Sequence, residues 1–456
     1  MKLQSIKINK LFGLFDYNID LNSTEDLTIL TGPNGYGKTT VLNVIYHLFN
    51  QRFLYFQKLN FESLSFYFSE GQRIDVTKKR KERTEQSIQF INNQQRIIPQ
   101  QVETIDILIE LFQNGNRIET FVYNYETESR LAQELTRFFP FLNQLSPDLW
   151  IDERTGKQTT INDFLNENSS QLPDRIISFI KRQGDKNTQI LSLLNQTNVY
   201  LIKEQRLLRQ VLGNNRNVNR NQNKAFTNTI EEYASELRSL IEQKQLEAYH
   251  MTQQLDSSFP KRLIECTEFL SEDDFNIRFE QLTKKQQQLQ TFGIATTKQD
   301  VTQYSPETAN VLTVYLEDSE NKLRVYDDLL IKIGLFVDIL NEKQFAFKSI
   351  EINAMQGFSF RLQDGQQLSL TDLSSGEQQE VVLLYELLFK TNPNTLILID
   401  EPEISLHVTW QKAFIQDLKR IAEIQHITFL VATHSPQIIN NEWALEKDLF
   451  KLSQQN

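Results

Sequence analysis

Gly32-Pro33-Asn34-Gly35-Tyr36-Gly37-Lys38-Thr39 gathers three glycines, an ammonium and a hydroxyl directly after the apolar run Leu27-Thr28-Ile29-Leu30. Glycines at these positions let the backbone curl until several N–H groups point inward, where they can hold phosphate oxygens. A helix starting here, through Thr40, Val41, Val44, Ile45 and Leu48, adds the partial positive charge of its N-terminus. Lys38 supplies a point charge for β- and γ-phosphates, and the Thr39 hydroxyl a ligand for Mg2+. Residues 32–40 therefore predict a nucleoside triphosphate site.

A second constellation lies far along the chain. Leu396-Ile397-Leu398-Ile399-Asp400-Glu401 reads as a buried parallel strand tipped with two carboxylates. Asp400 is placed to bind Mg2+, directly or through water, and Glu401 to orient and deprotonate an attacking water. An acidic pair at a strand end is common, and the glycine loop is what makes this one informative. Upstream, Leu373-Ser374-Ser375-Gly376-Glu377-Gln378-Gln379 starts a helix and offers hydroxyls and free N–H groups, either a plain cap or a second anion site. Downstream, the strand over 427–432 runs into Thr433-His434-Ser435-Pro436, which puts His434 at the same sheet edge, within reach of a γ-phosphate.

These groups need elements to bring them together. Residues 1–31 read as strands, the last feeding the glycine loop, and a helix follows over about 39–53. A β-rich stretch comes next, with Leu64-Ser65-Phe66-Tyr67-Phe68, Ile88-Gln89-Phe90-Ile91, and strands over 105–111 and 118–123 around Asn114-Gly115. Residues 126–195 read as mostly helical and irregular. Val199-Tyr200-Leu201-Ile202 is another buried strand, running into Lys203-Glu204-Gln205-Arg206, and 214–224 has the Asn/Arg-rich composition of an exposed loop. Helices dominate to about 342. Leu316, Leu323, Tyr326, Leu330, Ile333, Val337 and Leu340 fit a heptad frame, either a helical hairpin or short coiled coil, or a helix packed on its own domain. Strands resume over 347–360 and then alternate with helices, so the nucleotide domain is assembled from both ends of the chain.

Composition sets the outer bounds. At 456 residues with 39% hydrophobic and 23% charged residues, the chain is long enough for two or three domains of ordinary globular character. A net charge of −11 argues against a surface that is basic everywhere and leaves room for local basic patches. Cys266 is the only cysteine, so no internal disulfide or zinc ribbon forms, in keeping with a reducing cytosol. The apolar runs are too short to span a bilayer, and no membrane role is expected.

The order and spacing of these motifs resemble the ABC-type ATPase heads shared by the structural-maintenance-of-chromosomes, Rad-fifty, RecF and OLD proteins. The resemblance implies an α/β P-loop head of mixed sheet with an antiparallel β layer and an inserted helical or short coiled-coil domain. Its halves would be 1–125 and 346–456, its inserts 126–225 and 226–345. It implies Walker A at 32–39, Walker B at 396–400 with Glu401 catalytic, a D-loop around Ser405-Leu406-His407, and a switch histidine at His434. The signature would span 373–378, bringing Ser374, Ser375, Gly376 and Glu377 to the nucleotide. Its departures from the transporter form at Ser375 and Glu377 count against a transporter subunit. Gln205 is the first candidate for the Q-loop glutamine and an added Mg2+ contact, and Gln57 the second. The implied cofactors are ATP and Mg2+, and the implied partner is a second copy, head to head around two ATP molecules, or a higher homo-oligomer. Glu401-Pro402-Glu403-Ile404-Ser405-Leu406-His407 with Trp410-Gln411 further resembles the ATPase subunits of the PARIS and Septu anti-phage systems. That implies control of a separately encoded nuclease or toxin, since five scattered histidines and one cysteine make no HNH-like metal site. Two alternatives stand beside it. One is a RecF-like repair ATPase gripping DNA through Lys78-Lys79-Arg80-Lys81-Glu82-Arg83 or Arg206, Arg209, Arg216 and Arg220. The other is a slow-turnover assembly scaffold.

Overall fold

The computed structural model describes residues 2–21, 25–91, 94–123, 135–146, 149–152, 157–159, 164, 189–202, 208–210, 226–267, 269–294, 304–343, 345, 347–404 and 406–454. Two compact units emerge: Met1–Ile202 with Asn392–Pro402 and His426–Asn456, and Lys203–Thr391 with Glu403–Gln425. Both ends of the chain thus build the first unit.

That unit is an α/β P-loop domain. Its parallel sheet runs in the order Asn198–Ile202, Thr395–Asp400, Thr428–Ala432, Leu27–Thr31, Glu446–Asp448. Leu27–Thr31 and Thr395–Asp400 are buried at every position, the burial of strands covered on both faces. The helix Lys38–Phe49 packs on this sheet through Val41, Leu42, Val44, Ile45 and Leu48, all fully buried. An antiparallel layer runs in the order Phe15–Asp20, Leu3–Leu11, Ser63–Phe68, Gln72–Ile91, Gln94–Gln113, Asn116–Tyr123. Ser63–Phe68 buries alternate residues, the period of a strand with one face in the core. Ile6, Ile8, Phe66, Ile74 and Ile107 of this layer share one apolar cluster with Leu396, Leu398 and Leu430 of the parallel sheet. Each such side chain contributes roughly 1.5–3 kcal/mol on burial.

Two features of this unit depart from the sequence reading. Within the stretch expected to be helical, Leu142–Ser146, Leu149–Asp152 and Lys157–Thr159 form a small antiparallel sheet, with Trp150 buried beside Leu135, Leu142 and Phe164. Strands of three to five residues are too short for a period-two pattern to register. The β-rich stretch also holds longer strands than expected. Gln72–Ile91 and Gln94–Gln113 pair from Gln72↔Gln113 to Ile91↔Gln94, whereas neighbouring strands cover only 73–77 and 107–113. The remainder continues as a two-stranded ribbon.

The second unit is mostly helical. Thr229–Glu265 is 37 residues long, about 55 Å at 1.5 Å per residue, and packs with Ala309–Arg324, on which Glu272–Thr291 also packs. Arg262–Asp318 and Arg278–Glu320 ion pairs stitch these helices together. The heptad stripe divides between Ala309–Arg324 and Asp327–Glu342, with a break at Tyr326. Leu316, Leu323, Tyr326, Leu330, Ile333 and Leu340 are all buried, as in a helix pair packed on its own domain. A small sheet of Lys348–Asn353, Gly357–Leu362 and Gln367–Leu368 lies on the long helix. The approach is so close at Gly357 (φ +79°) that a Cβ there would sit 1.9 Å from the Ala234 carbonyl oxygen.

Candidate functional site

The first unit brings three distant segments to the C-terminal edge of its parallel sheet, where ligands of open α/β sheets bind. Leu27–Thr31 ends at Gly32, whose φ is +142° and where a Cβ would press within 3.2 Å of Leu449 Cβ. Gly37 (φ +86°) caps Lys38–Phe49 with no side-chain acceptor, so the first-turn N–H groups keep their capacity for an anion. Behind the loop, the Tyr17 hydroxyl donates to the Tyr36 carbonyl at 2.7 Å, and the Tyr36 ring lies between Phe15 and Phe450. Burial pushes the Tyr17 hydroxyl well above its ordinary pKa, so it remains a donor. Tyr36 thereby anchors the loop.

Lys38 is 5% exposed, and its Nζ donates to the Gly32 carbonyl at 2.9 Å while lying 3.6 Å from Glu401 Oε1. Beside it, the Thr39 hydroxyl donates to Asp400 Oδ1 at 3.1 Å. The step from Asp400 to Glu401 is a sharp one. Glu401 has φ +46°, a conformation few non-glycine residues adopt, while its N–H still donates to the Ala432 carbonyl at 2.9 Å. Opposite, Thr433 is fully buried, its N–H donating to Leu30 O, and its hydroxyl accepts the Ser435 N–H at 3.0 Å. This turn presents His434, whose Nδ1 meets Glu401 Oε2 at 2.5 Å. Lys38, Thr39, Asp400, Glu401 and His434 therefore lie together at one sheet edge. Thr39 and the buried Asp400 carboxylate form an all-oxygen pair, the donor set a hard divalent cation prefers, so the residues present fit Mg2+.

Other expected contacts fall elsewhere. Gln205 and Ser405 lie outside the described residues. Gln57 donates its amide to the Ile105 carbonyl at 3.0 Å, inside the antiparallel layer. His407 caps the short helix Val408–Gln411. In the second unit, Ser374 caps Ser375–Phe389 in a capping box, its side chain accepting from Glu377 N while the Glu377 carboxylate accepts from Ser374 N. Ser374 and Ser375 are exposed at this helix start, and nothing stands within 4 Å of a Cβ built on Gly376. Glu377 was expected to reach the nucleotide; instead it is buried, with Lys348 Nζ 2.8 Å from both its oxygens. Burial alone would raise its pKa, but Lys348 and Ser374 outweigh it and hold the carboxyl below its ordinary value. Glu377 thus positions the exposed turn.

The motifs missed one group. Phe12 and Leu14, in the turn after Leu3–Leu11, are exposed by 39% and 71%. Phe12 Cε2 lies 3.3 Å from where a Cβ on Gly37 would be, so an apolar surface flanks the phosphate loop. Its only signature in the sequence is the run Leu11-Phe12-Gly13-Leu14-Phe15 across a turn.

With this geometry in hand, the chain matches the AAA ATPase domain family over residues 1–439. It is 28% identical over 158 residues to the Retron Ec83 probable ATPase of Escherichia coli, covering 29% of this chain and 28% of that protein. It is 29% identical over 89 residues to the Retron Vc95 probable ATPase of Vibrio cholerae serotype O1 biovar El Tor, 17% of each chain. These matches span less than a third of the relatives' own length. Among solved structures, it aligns with the Smc head domain with an extended coiled coil from Pyrococcus furiosus, at 13% identity, TM-score 0.32 and 96% and 91% coverage. It also aligns with the SMC head domain from Thermotoga maritima, at 12% identity, TM-score 0.31 and the same coverages.

Proposed function

This chain belongs to the AAA ATPase domain family, and from that premise we propose that it binds and hydrolyses ATP at the convergence of Lys38, Thr39, Asp400, Glu401 and His434. The observation that carries the reading is the pair of contacts Thr39–Asp400 and Glu401–His434, which join residues some 360 and 33 positions apart at one sheet edge. Lys38 would exchange the Gly32 carbonyl for phosphate oxygens, and the loop N–H groups would hold the remainder of the triphosphate. Thr39 and Asp400 would hold Mg2+, which when bound neutralises phosphate charge. Glu401 takes the proton of the attacking water, and His434 fixes the orientation of its carboxylate.

Phe12 and Leu14 form the platform for the base. Stacking of a base on an aromatic ring is worth about 1–3 kcal/mol, so Phe12→Ala weakens ATP binding by roughly 5-fold or more while leaving triphosphate binding in place. Equilibrium titration with ATP and with inorganic triphosphate checks this; an equal loss for both ligands would mean that the loop itself had collapsed.

The Ser374-Ser375-Gly376 turn, with both serines exposed, would serve as a second anion cradle. In the assembled enzyme it would close over the phosphate loop of a second copy, giving a head-to-head dimer around two nucleotides. Light scattering should therefore show the mass doubling with ATP and Mg2+, and a mass indifferent to nucleotide contradicts the sandwich. The names of the matched retron ATPases, together with the run after Glu401, support a place in prokaryotic anti-phage defence, where this ATPase would restrain or release a separately encoded toxin or nuclease.

A further inference from the structure

We propose that Tyr17 is a positioning residue for the phosphate loop: by holding the Tyr36 carbonyl it aims the Gly37 N–H at the triphosphate. Such a role rests on the nucleotide site proposed above and adds to it a side chain from outside the loop. Tyr36 and Gly37 share a planar trans peptide, whose C=O and N–H point in opposite directions. The Tyr17 hydroxyl donates to that carbonyl at 2.7 Å, so the N–H faces away from the strand Phe15–Asp20. The neighbouring backbone groups are committed elsewhere. The Tyr36 N–H donates to the Pro33 carbonyl at 3.4 Å, and the Gly37 carbonyl accepts from the Val41 N–H at 2.8 Å. Among the described residues no group accepts the Gly37 N–H, and no side chain caps the helix Lys38–Phe49. One backbone donor at a helix start is thus left for an anion.

Gly37 by itself leaves the direction of that donor loose. It sits at φ +86°, ψ 23°, and turning the 36–37 peptide over needs only a change in Tyr36 ψ and Gly37 φ, which glycine accepts on either side of zero. A side chain cannot stiffen the position, because a Cβ on Gly37 would lie 3.0 Å from Leu11 Cδ2 and 3.3 Å from Phe12 Cε2. The constraint therefore comes from outside. Tyr17 is 1% exposed, pairs with Ile8 in the antiparallel layer, and stacks on Phe15 with ring centroids 5.8 Å apart. Phe15 lies 5.0 Å from the Tyr36 ring, which meets Phe450 edge-on at 5.7 Å. The rings hold the Tyr36 side chain, and the hydroxyl holds its carbonyl. Without the hydroxyl that carbonyl loses its donor and can turn towards water, which carries the Gly37 N–H away from a bound phosphate.

The test is Tyr17→Phe in the full chain, which removes one oxygen and keeps the ring. Calorimetric titration with inorganic triphosphate and with ATP, each with Mg2+, should show both ligands weakened on the order of 10- to 100-fold, the loss of one charge-assisted hydrogen bond. This equal loss separates Tyr17 from Phe12, whose replacement spares triphosphate. In turnover, KM should rise by a similar factor while kcat stays within about 3-fold of the parent, because the donor meets the triphosphate in ground and transition states alike. Tyr36-Gly37 is the only Tyr-Gly pair in the sequence, so isotopic labelling of tyrosine carbonyls together with glycine nitrogens isolates this single peptide in NMR spectra. Its N–H signal should move downfield when triphosphate saturates the parent, and far less when it saturates the variant. The proposal fails if the variant binds both ligands like the parent, if kcat falls as far as KM rises, or if the signal moves equally in both proteins. A parent signal unmoved by saturating triphosphate overturns it without recourse to any variant. A parent that binds neither ligand would remove the nucleotide site itself, whereas a binding parent with an unaffected variant removes only the role of Tyr17.

Discussion

Glu401→Gln is expected to lower ATP turnover by about 10²–10⁴-fold while ATP affinity stays within a few-fold of the parent. The amide preserves the shape of the side chain and can still accept from His434 Nδ1, which lies 2.5 Å from Glu401 Oε2. It removes basicity alone. Glu401 is held by a backbone that enters the left-handed region at φ +46° while staying bonded to Ala432, and this aims a nearly buried carboxylate between Lys38 and His434. A group fixed at the expense of backbone strain is one whose direction matters. The variant should therefore accumulate as a nucleotide-bound dimer, seen as retained ATP after rapid gel filtration and doubled mass in light scattering. Turnover like the parent's would remove Glu401 from the base role and point to His434, whose replacement by alanine would then carry the larger loss.

How much of this was legible in the sequence depended on whether the signal was local. Residues 32–40 carry their own glycines, helix start and preceding strand, so the loop could be read from one window. Asp400 and Glu401 follow a run buried at every position, which marks a covered parallel strand. The ribbon was half visible, because Ile88-Gln89-Phe90-Ile91 and 105–111 read as strands, whereas 92–104, with Ile97-Ile98 beside Pro99 among amides, has no period-two alternation to detect. Glu377 misled for a different reason. Its position in the motif suggests contact with a ligand, but Lys348, which claims its carboxylate, is 29 positions upstream. Phe12 was missed because an exposed aromatic in a turn has no pattern until the glycine loop folds against it.

The same limit hides the second large effect, the loss of stability in Lys343→Ala. Lys343, at the end of Asp327–Glu342, is 3% exposed and lies 2.6 Å from Glu380 of Ser375–Phe389 and 2.8 Å from Asp417 of Phe414–Gln425. Its carbonyl also accepts the Trp410 indole N–H at 3.1 Å. Burial alone would lower the Lys343 pKa, but the two carboxylates outweigh it and hold the ammonium above its ordinary 10.5. Asp417 moves the other way, burial raising its carboxyl more than Lys343 lowers it. Removing the ammonium leaves two carboxylates, 1% and 7% exposed, facing each other without a cation, which costs about 3–5 kcal/mol. Thermal melts should show it as a marked drop in Tm near neutral pH. Since a raised lysine pKa gives stability that is complete below 10.5 and lost as pH rises through the folded value, the gap between parent and variant should narrow on the alkaline side. On acidification Asp417 takes up its proton in the folded protein first, which again shrinks the deficit of the variant. Adding Glu380→Gln and Asp417→Asn to Lys343→Ala should recover much of the Tm, because the cost lies in the unpaired charges and only secondarily in the lost contacts. A triple variant as unstable as the single one would instead assign the loss to packing around the lysine stem. In either case the helix that starts at Ser374-Ser375-Gly376 is the element released, so the single variant should also lose nucleotide-dependent dimerisation at temperatures well below its own melt.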